Sequence, residues 1–134
     1  MIGVLVVTHG SIGEALVTSA SQILGNTPQQ VATLSVWRQD DPDDLVLRAR
    51  ELLEGLDAGD GVLVLTDIFG ATPGNVVSRL LADNHVEGVS GVSLPMLLRV
   101  LTARNGSLSA AVKRAVSAGS EGVVHMNTDR CLDA

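Results

Sequence analysis

Two side chains able to act as acid, base or nucleophile stand just after short apolar runs in this 134-residue sequence. His9 follows the run at 2–7, and Asp67 follows the run at 62–65, each after a single intervening threonine. Short apolar runs of this kind are typical of buried strands, and an open parallel sheet binds ligands beyond the carboxyl ends of its strands. If the two strands are neighbours, His9 and Asp67 belong to one site.

Each of these two residues also precedes the predicted start of a helix. Ser11, with Glu14 three residues later, has the pattern of a capping box. Thr72 and Pro73 have the pattern of an N-cap followed by a first-turn proline. Because a helix N-terminus leaves backbone N–H groups unpaired and carries partial positive charge, two such termini would favour a phosphate between them.

The chemistry predicted for His9 is nucleophilic. Imidazole titrates near neutral pH, so that a neutral ring nitrogen is available to attack a phosphoryl group. A carboxylate such as Asp67, bonded to the other ring nitrogen, would fix the tautomer and stabilise the cation that forms on attack. Gly10 and Gly70 would let the backbone come close to a bulky anion.

Structural roles for the same two residues stay open at this point. His9 could be an ordinary turn residue bonded to a backbone carbonyl, and Asp67 could simply cap the helix that begins near Thr72. Their joint occurrence at two strand exits favours function. The residues by themselves indicate an anion site with a reactive histidine and nothing narrower.

The elements that must position this site alternate along the chain. The predicted strands are apolar or β-branched runs at 2–7, 31–36, 62–65, 89–94 and 122–126. Helix start signals occur at Ser11, Asp41, Thr72, Pro95 and Ser107. The first helix should end near Leu24, and the third should include Leu80 and Leu81. The order βαβαβαβααβ predicts an α/β doubly wound domain, with a mainly parallel sheet flanked by helices.

Composition narrows the classes of function. The net charge of -6 and the absence of a basic stripe argue against binding to nucleic acid. No apolar run is long enough for a membrane span and no leader pattern precedes the first strand, so we expect a cytoplasmic protein without membrane insertion. The lone Cys131 cannot form an internal disulfide, and no metal-ligand spacing is present, so neither metal nor cofactor is expected. Residues 1–134 should form one domain.

Three segments carry a resemblance to a known family. They are VTHGSIGEAL at 7–16, DIFGATPGN at 67–75 and GVSLPMLL at 91–98. In this order and spacing they resemble the motifs of the IIA domain of the mannose-type (mannose/fructose/sorbose) phosphoenolpyruvate-dependent sugar phosphotransferase system. The resemblance extends over nearly the whole chain.

The resemblance implies a histidine phosphotransferase component, with His9 phosphorylated and Asp67 as the carboxylate partner of its ring. Gly10, Ser11, Gly70 and Thr72 would hold the phosphate, with Thr72 at a position usually held by a small hydroxyl residue. Phospho-HPr would be the donor, and a histidine of a IIB domain or protein the acceptor, for sugar uptake. The family forms homodimers in which the C-terminal strand, here 122–126, crosses to the partner subunit.

Some residues depart from the family pattern. Ala71 and Gly74 replace a glycine and a bulkier residue of the second motif, and Ser93 stands where asparagine is frequent. These substitutions alter the rim that a partner protein would meet and leave His9 and Asp67 intact. A regulatory module, in which phosphorylation of His9 controls a partner without sugar transport, uses the same site and remains the alternative.

Other phosphate-handling families fit less well. A histidine phosphatase needs an arginine before its histidine, where this chain has Thr8. A response-regulator receiver needs an acidic pair after its first strand and a lysine after its fifth, but Lys113 falls within a predicted helix. The dihydroxyacetone-kinase phosphocarrier shares the plan and the histidine, but lacks the pattern seen at 69–73.

Overall fold

The computed structural model describes residues 1–82 and 84–129. Four strands are present there: β1 (Gly3–His9), β2 (Val31–Val36), β3 (Val62–Thr66) and β4 (Val86–Ser90). Six helices accompany them: α1 (Ile12–Leu24), α2 (Pro42–Leu56), α3 (Thr72–Ser78), α4 (Leu94–Leu101), α5 (Leu108–Glu121) and α6 (Met126–Asp129). Cys131, for which no disulfide was expected, lies outside the described residues.

The four strands form one sheet in the order β2-β1-β3-β4, and every pairing is parallel. β1 is therefore the neighbour of β3, which is the condition for a common site. The chain leaves β1 towards β2 on one side and returns to β3 on the other. The boundary between β1 and β3 is thus the topological switch point, where open α/β sheets bind ligands.

Helices cover both faces of the sheet, as predicted for a doubly wound domain. Alternate residues of β1 point to opposite faces, so Val4 and Val6 belong to one apolar cluster and Leu5 and Val7 to the other. The first cluster is completed by α1, α4 and α5, and the second by α2 and α3. The nearly continuous apolar strands of this sequence follow from burial on both sides.

The end of the chain differs from the expectation. Residues 122–126, predicted to be a strand, form a turn at Gly122, a segment without regular structure at 123–125 and the first residue of α6. Val123, Val124 and Met126 are exposed there. An apolar β-branched run becomes a strand only where it pairs with a neighbouring strand, and in the described chain this run pairs with none.

Two other predicted elements were misplaced. β4 begins and ends earlier than the predicted strand at 89–94, because Ser93 caps α4 by accepting a hydrogen bond from the Met96 N–H at 3.3 Å. The third helix ends at Ser78, so that Leu80 is buried beyond it and Leu81 is exposed. Thr72 is the first residue of α3, and Ala71 occupies the N-cap position.

Close packing between β1 and α2 depends on Gly3. A Cβ atom there would lie 2.5 Å from the Leu56 carbonyl oxygen and 2.9 Å from the Leu56 Cβ. We therefore predict that Gly3→Ala lowers the free energy of unfolding by about 1–3 kcal/mol through overpacking. Urea denaturation measures the change. Gly55→Ala, in α2 where a new Cβ meets nothing within 4 Å, is the control and should not destabilise.

Candidate functional site

His9 and Asp67 meet at the carboxyl ends of β1 and β3. The His9 Nδ1 lies 2.8 Å from the Asp67 Oδ2, and the His9 backbone N–H donates to the same oxygen at 3.1 Å. The Ile68 N–H donates to the other carboxylate oxygen at 3.0 Å. An ionised carboxylate only accepts hydrogen bonds, so the proton of this contact belongs to Nδ1. Nε2 is then the ring nitrogen with a free electron pair.

The register of the sheet produces this contact. Val7 pairs with Thr66, so that His9 and Asp67 leave adjacent strands within two residues of the last paired position. On the other side of β1, His9 pairs with Val36, and the Gly10 N–H donates to the Val36 carbonyl at 2.9 Å. The backbone of His9 is therefore fixed from both neighbouring strands.

The Asp67 carboxylate is held in its charged form. Burial raises its pKa, but the hydrogen bonds from the His9 ring and backbone, and the attraction of the His9 charge, outweigh that effect. The net pKa of Asp67 therefore lies below its usual value. The Asp67 side chain is 14% exposed whereas that of His9 is 48% exposed. The acid is thus sheltered behind a ring that stays open to solvent.

Helix α1 begins differently from the predicted capping box. Ser11 occupies the N-cap position, but its side chain makes no capping hydrogen bond. The buried hydroxyl of Thr8 accepts from the Gly13 N–H at 2.8 Å instead, and Glu14 accepts from the Ser35 hydroxyl at 3.3 Å. A strand residue therefore caps the helix that follows His9, which connects β1 directly to α1.

A pocket of about 510 Å³ opens beside the histidine. It is lined by His9 and Thr72 together with residues from the end of β2 to the start of α2: Val36, Trp37, Arg38, Asp40 and Pro42. Thr72 thus joins His9 and Asp67 at the site. Gly10, Ser11 and Gly70 do not line this pocket. Gly10 and Ser11 adjoin His9 in the chain, and Gly70 lies in the exposed turn after Asp67.

The residues that follow β2 were not predicted from the sequence to belong to the site. The Trp37 ring lies against Gly10, where an added Cβ would be 3.3 Å from it, and Gly10 has a φ of 48°. The Asp40 carboxylate accepts from the Trp37 N–H at 2.8 Å and holds the turn. Arg38 is the cation among the residues that line the pocket. Their position after a strand beside β1 was the signal that could have identified them.

The described residues contain no group of three or more His, Cys, Asp or Glu side chains arranged to hold a metal ion. In the same part of the chain, no helix has both the length and the apolar character needed to cross a membrane.

The fold and the site define a class: an α/β domain that presents a carboxylate-bound histidine at the switch point of a parallel sheet. The family model described as "PTS system fructose IIA component", in which PTS denotes the phosphotransferase system, matches residues 3–117. The chain therefore belongs to the mannose/fructose family of PTS IIA components, as its three motifs indicate.

Known relatives agree with this assignment. The chain is 34% identical over 125 residues to the PTS system mannose-specific EIIAB component of Escherichia coli (strain K12), covering 91% of this chain and 38% of that protein. The chain thus spans well under half of that relative. The crystal structure of phosphotransferase system component EIIA from Streptococcus agalactiae superposes with a TM-score of 0.85 at 26% identity, covering 96% and 99% of the two chains.

A relative of a different kind is also found. The chain is 28% identical over 102 residues to the transcriptional regulatory protein LevR of Bacillus subtilis (strain 168), covering 75% of this chain and 10% of that protein.

The contact with Asp67 predicts the tautomer of His9. In the neutral ring we expect the proton on Nδ1, with Nε2 unprotonated. Long-range ¹H–¹⁵N NMR correlations of the ring distinguish the two forms. Asp67→Ala, which removes the acceptor, should shift the ring towards the Nε2–H tautomer that free histidine prefers. An Nε2–H ring in the unmodified protein would contradict the geometry.

Proposed function

We propose that this chain is a phosphocarrier that accepts a phosphoryl group from phospho-HPr on the Nε2 of His9 and passes it to a histidine of a IIB protein. The observation that carries the proposal is the hydrogen bond of 2.8 Å between the His9 Nδ1 and the Asp67 Oδ2. That bond leaves Nε2 as the nucleophile. Membership of the PTS IIA family supports the choice of donor and acceptor.

Both transfers exchange one N–P bond for another. The Nε2 lone pair of His9 attacks phosphorus, the N–P bond of the donor breaks, and its electrons return to the donor nitrogen. The His9 ring keeps its Nδ1 proton, and the Asp67 carboxylate stabilises the positive charge that the ring gains. In the second transfer the acceptor nitrogen attacks, and the Nε2–P bond breaks in turn. The exchange consumes neither a metal ion nor an organic cofactor.

The surroundings of His9 suit a transferred phosphoryl group. Backbone N–H groups at the start of α1, next to Gly10 and Ser11, supply partial positive charge without a counter-ion. The hydroxyl of Thr72 and the backbone near Gly70 are available as further donors from the other strand exit. The half-exposed ring can be reached by a second protein, as a carrier requires.

Phosphorylation tests this proposal directly. Incubation with phosphoenolpyruvate, the general phosphotransferase enzyme and HPr should label the protein once, and the label should be acid-labile and base-stable. We predict no label on His9→Ala, and full label on His85→Ala and His125→Ala, which retain His9. Mass spectrometry and ³¹P NMR locate the group, which we expect on Nε2.

Asp67→Asn separates the role of the carboxylate from that of the nucleophile. It keeps the shape of the side chain but loses the charge, so we expect transfer at least about tenfold slower, the value of one charge-assisted hydrogen bond. Far-UV circular dichroism should stay unchanged. An unaltered rate of transfer would remove Asp67 from the mechanism, and label on His9→Ala would refute the proposal as a whole.

We further propose that the protein is a homodimer in which residues 122–126 add to the edge of the partner's sheet. β4 is an edge strand, and an apolar groove beside it contains Phe69, Val77 and Leu81. The exposed Val123 and Val124 offer a β-branched run that could cover such an edge. We also propose that residues 1–134 form a single domain and that the protein is cytoplasmic.

Sedimentation velocity tests the dimer. The unmodified chain should sediment as a dimer at micromolar concentration, and the double variant Val123→Asp with Val124→Asp should sediment as a monomer, because two buried carboxylates would disfavour the pairing. Leu47→Asp is the control, since Leu47 is an equally exposed apolar residue on α2 away from β4. A monomeric unmodified chain would contradict the prediction.

Similarity to LevR supports a second candidate function, in which the phosphorylation of His9 controls docking to a partner protein. Both functions use the same chemistry at His9. The second transfer distinguishes the two functions. A carrier should lose its label to a IIB protein encoded nearby. A regulatory module should retain the label and change its affinity for its partner.

A further inference from the structure

A second pocket lies at the opposite end of the sheet from His9. We propose that it binds a small oxyanion, a free phosphate or the carboxylate or phosphate group of a metabolite, through the guanidinium of Arg104. This pocket has a volume of about 460 Å³ and opens where β1 and β2 begin. Seven residues of β1 separate the two ends of the sheet, which places the pocket roughly 20 Å from His9.

Arg104 is buried without an acidic partner. Its residue exposure is 7%, and in the described part of the chain no carboxylate forms a salt bridge with it. Burial lowers the pKa of the guanidinium from its usual value, yet arginine remains charged at neutral pH. A buried charge that lacks a counter-ion is costly, and a bound anion would remove that cost.

The Nη1 edge of the Arg104 guanidinium donates hydrogen bonds to the protein, whereas the edge formed by Nε and Nη2 has no hydrogen-bond acceptor among the described residues. Nη1 donates to the Gln29 carbonyl at 2.6 Å and lies 3.5 Å from the Ile2 carbonyl. Nε is buried and has no partner, and no hydrogen bond of Nη2 is found among the described residues. The Nε–H and the neighbouring Nη2–H point the same way, and this pair is the fork that binds a carboxylate or phosphate with two parallel hydrogen bonds.

The remaining lining suits a small polar ligand. Asn26, Thr27 and Gln29 supply amide and hydroxyl groups, and no acidic residue lines the pocket. The pocket has room for a molecule several atoms larger than the oxyanion itself. Because Nε is buried, an oxyanion reaches it only when the atoms around it move slightly, and the segment between α1 and β2 contributes Asn26, Thr27 and Gln29 to the lining. Binding should therefore alter the backbone signals of that segment.

Helices α1 and α4 end at this pocket, and their carboxyl ends carry partial negative charge that offsets part of the charge of Arg104. The terminal carbonyls are themselves capped. The Gly25 N–H donates to the Ser21 carbonyl, and the Thr102 hydroxyl donates to the Leu98 carbonyl. These two carbonyls are therefore satisfied within their own helices.

Amide ¹H–¹⁵N NMR tests the site in a His9→Ala background, which removes the phosphoryl acceptor while leaving Arg104 untouched. The probes are inorganic phosphate and malonate, each titrated at constant pH and ionic strength against sodium chloride. We expect saturable shifts in the amide signals of Asn26, Thr27, Gln29 and Thr102 with at least one probe. Saturation by phosphate alone or by malonate alone assigns the site to that chemical group. Titrations in which neither probe saturates would overturn the proposal.

Two variants of Arg104 and one control variant determine whether the guanidinium binds the anion. Arg104→Met fills similar space without charge and should abolish saturation, whereas Arg48→Met removes an exposed arginine on α2 and should preserve it. Arg104→Lys keeps the charge but not the planar fork, and it should weaken binding by about tenfold or more. Equal affinity in Arg104→Met or Arg104→Lys would show that the guanidinium fork does not bind the anion. Since phosphorylation of His9 does not enter these measurements, they succeed or fail independently of the phosphocarrier function.

Discussion

The hydrogen bond between the His9 Nδ1 and the Asp67 carboxylate is the contact on which the geometry of the site, and with it the function proposed above, depends. It spans 58 residues of sequence, and it forms because β1 and β3 are parallel neighbours in a register that pairs Val7 with Thr66. The bond selects the tautomer, orients the ring and keeps the carboxylate ionised. A shift of one residue in the register would turn the His9 side chain to the other face of the sheet and break the pair.

Much of this architecture could be predicted because helix caps and apolar runs depend on residues that are close together in the sequence. Asp41 and Ser107 cap their helices with the predicted side-chain hydrogen bonds, and the apolar run at 31–36 is a strand with those bounds. His9 and Asp67 stood out because strand exits hold few ionisable residues. Their adjacency required the strand order, which a sequence without its fold does not contain, and the family motifs supplied the missing information.

The expectations that failed were those in which a local pattern had a competitor elsewhere in the fold. Ser11 and Glu14 have the spacing of a capping box, but the buried hydroxyl of Thr8, rather than that of Ser11, accepts the hydrogen bond from the Gly13 N–H. The run at 122–126 has the composition of a strand but pairs with none of the strands described in its own chain. The pocket residues after β2 could not be predicted from residue type, because Trp37 has no reactive group and its place beside Gly10 follows only from the pairing of β2 with β1.

The exposure of the His9 ring has a cost as well as a use. An enzyme that keeps its intermediate closes the site against water, whereas a ring that is 48% exposed leaves one face open to any nucleophile. In the proposed phosphocarrier, hydrolysis would therefore compete with transfer, and the lifetime of phosphorylated His9 would set the time in which the acceptor protein must arrive. The exposure of the ring would thus limit how long the proposed phosphorylated protein persists when no acceptor protein is present.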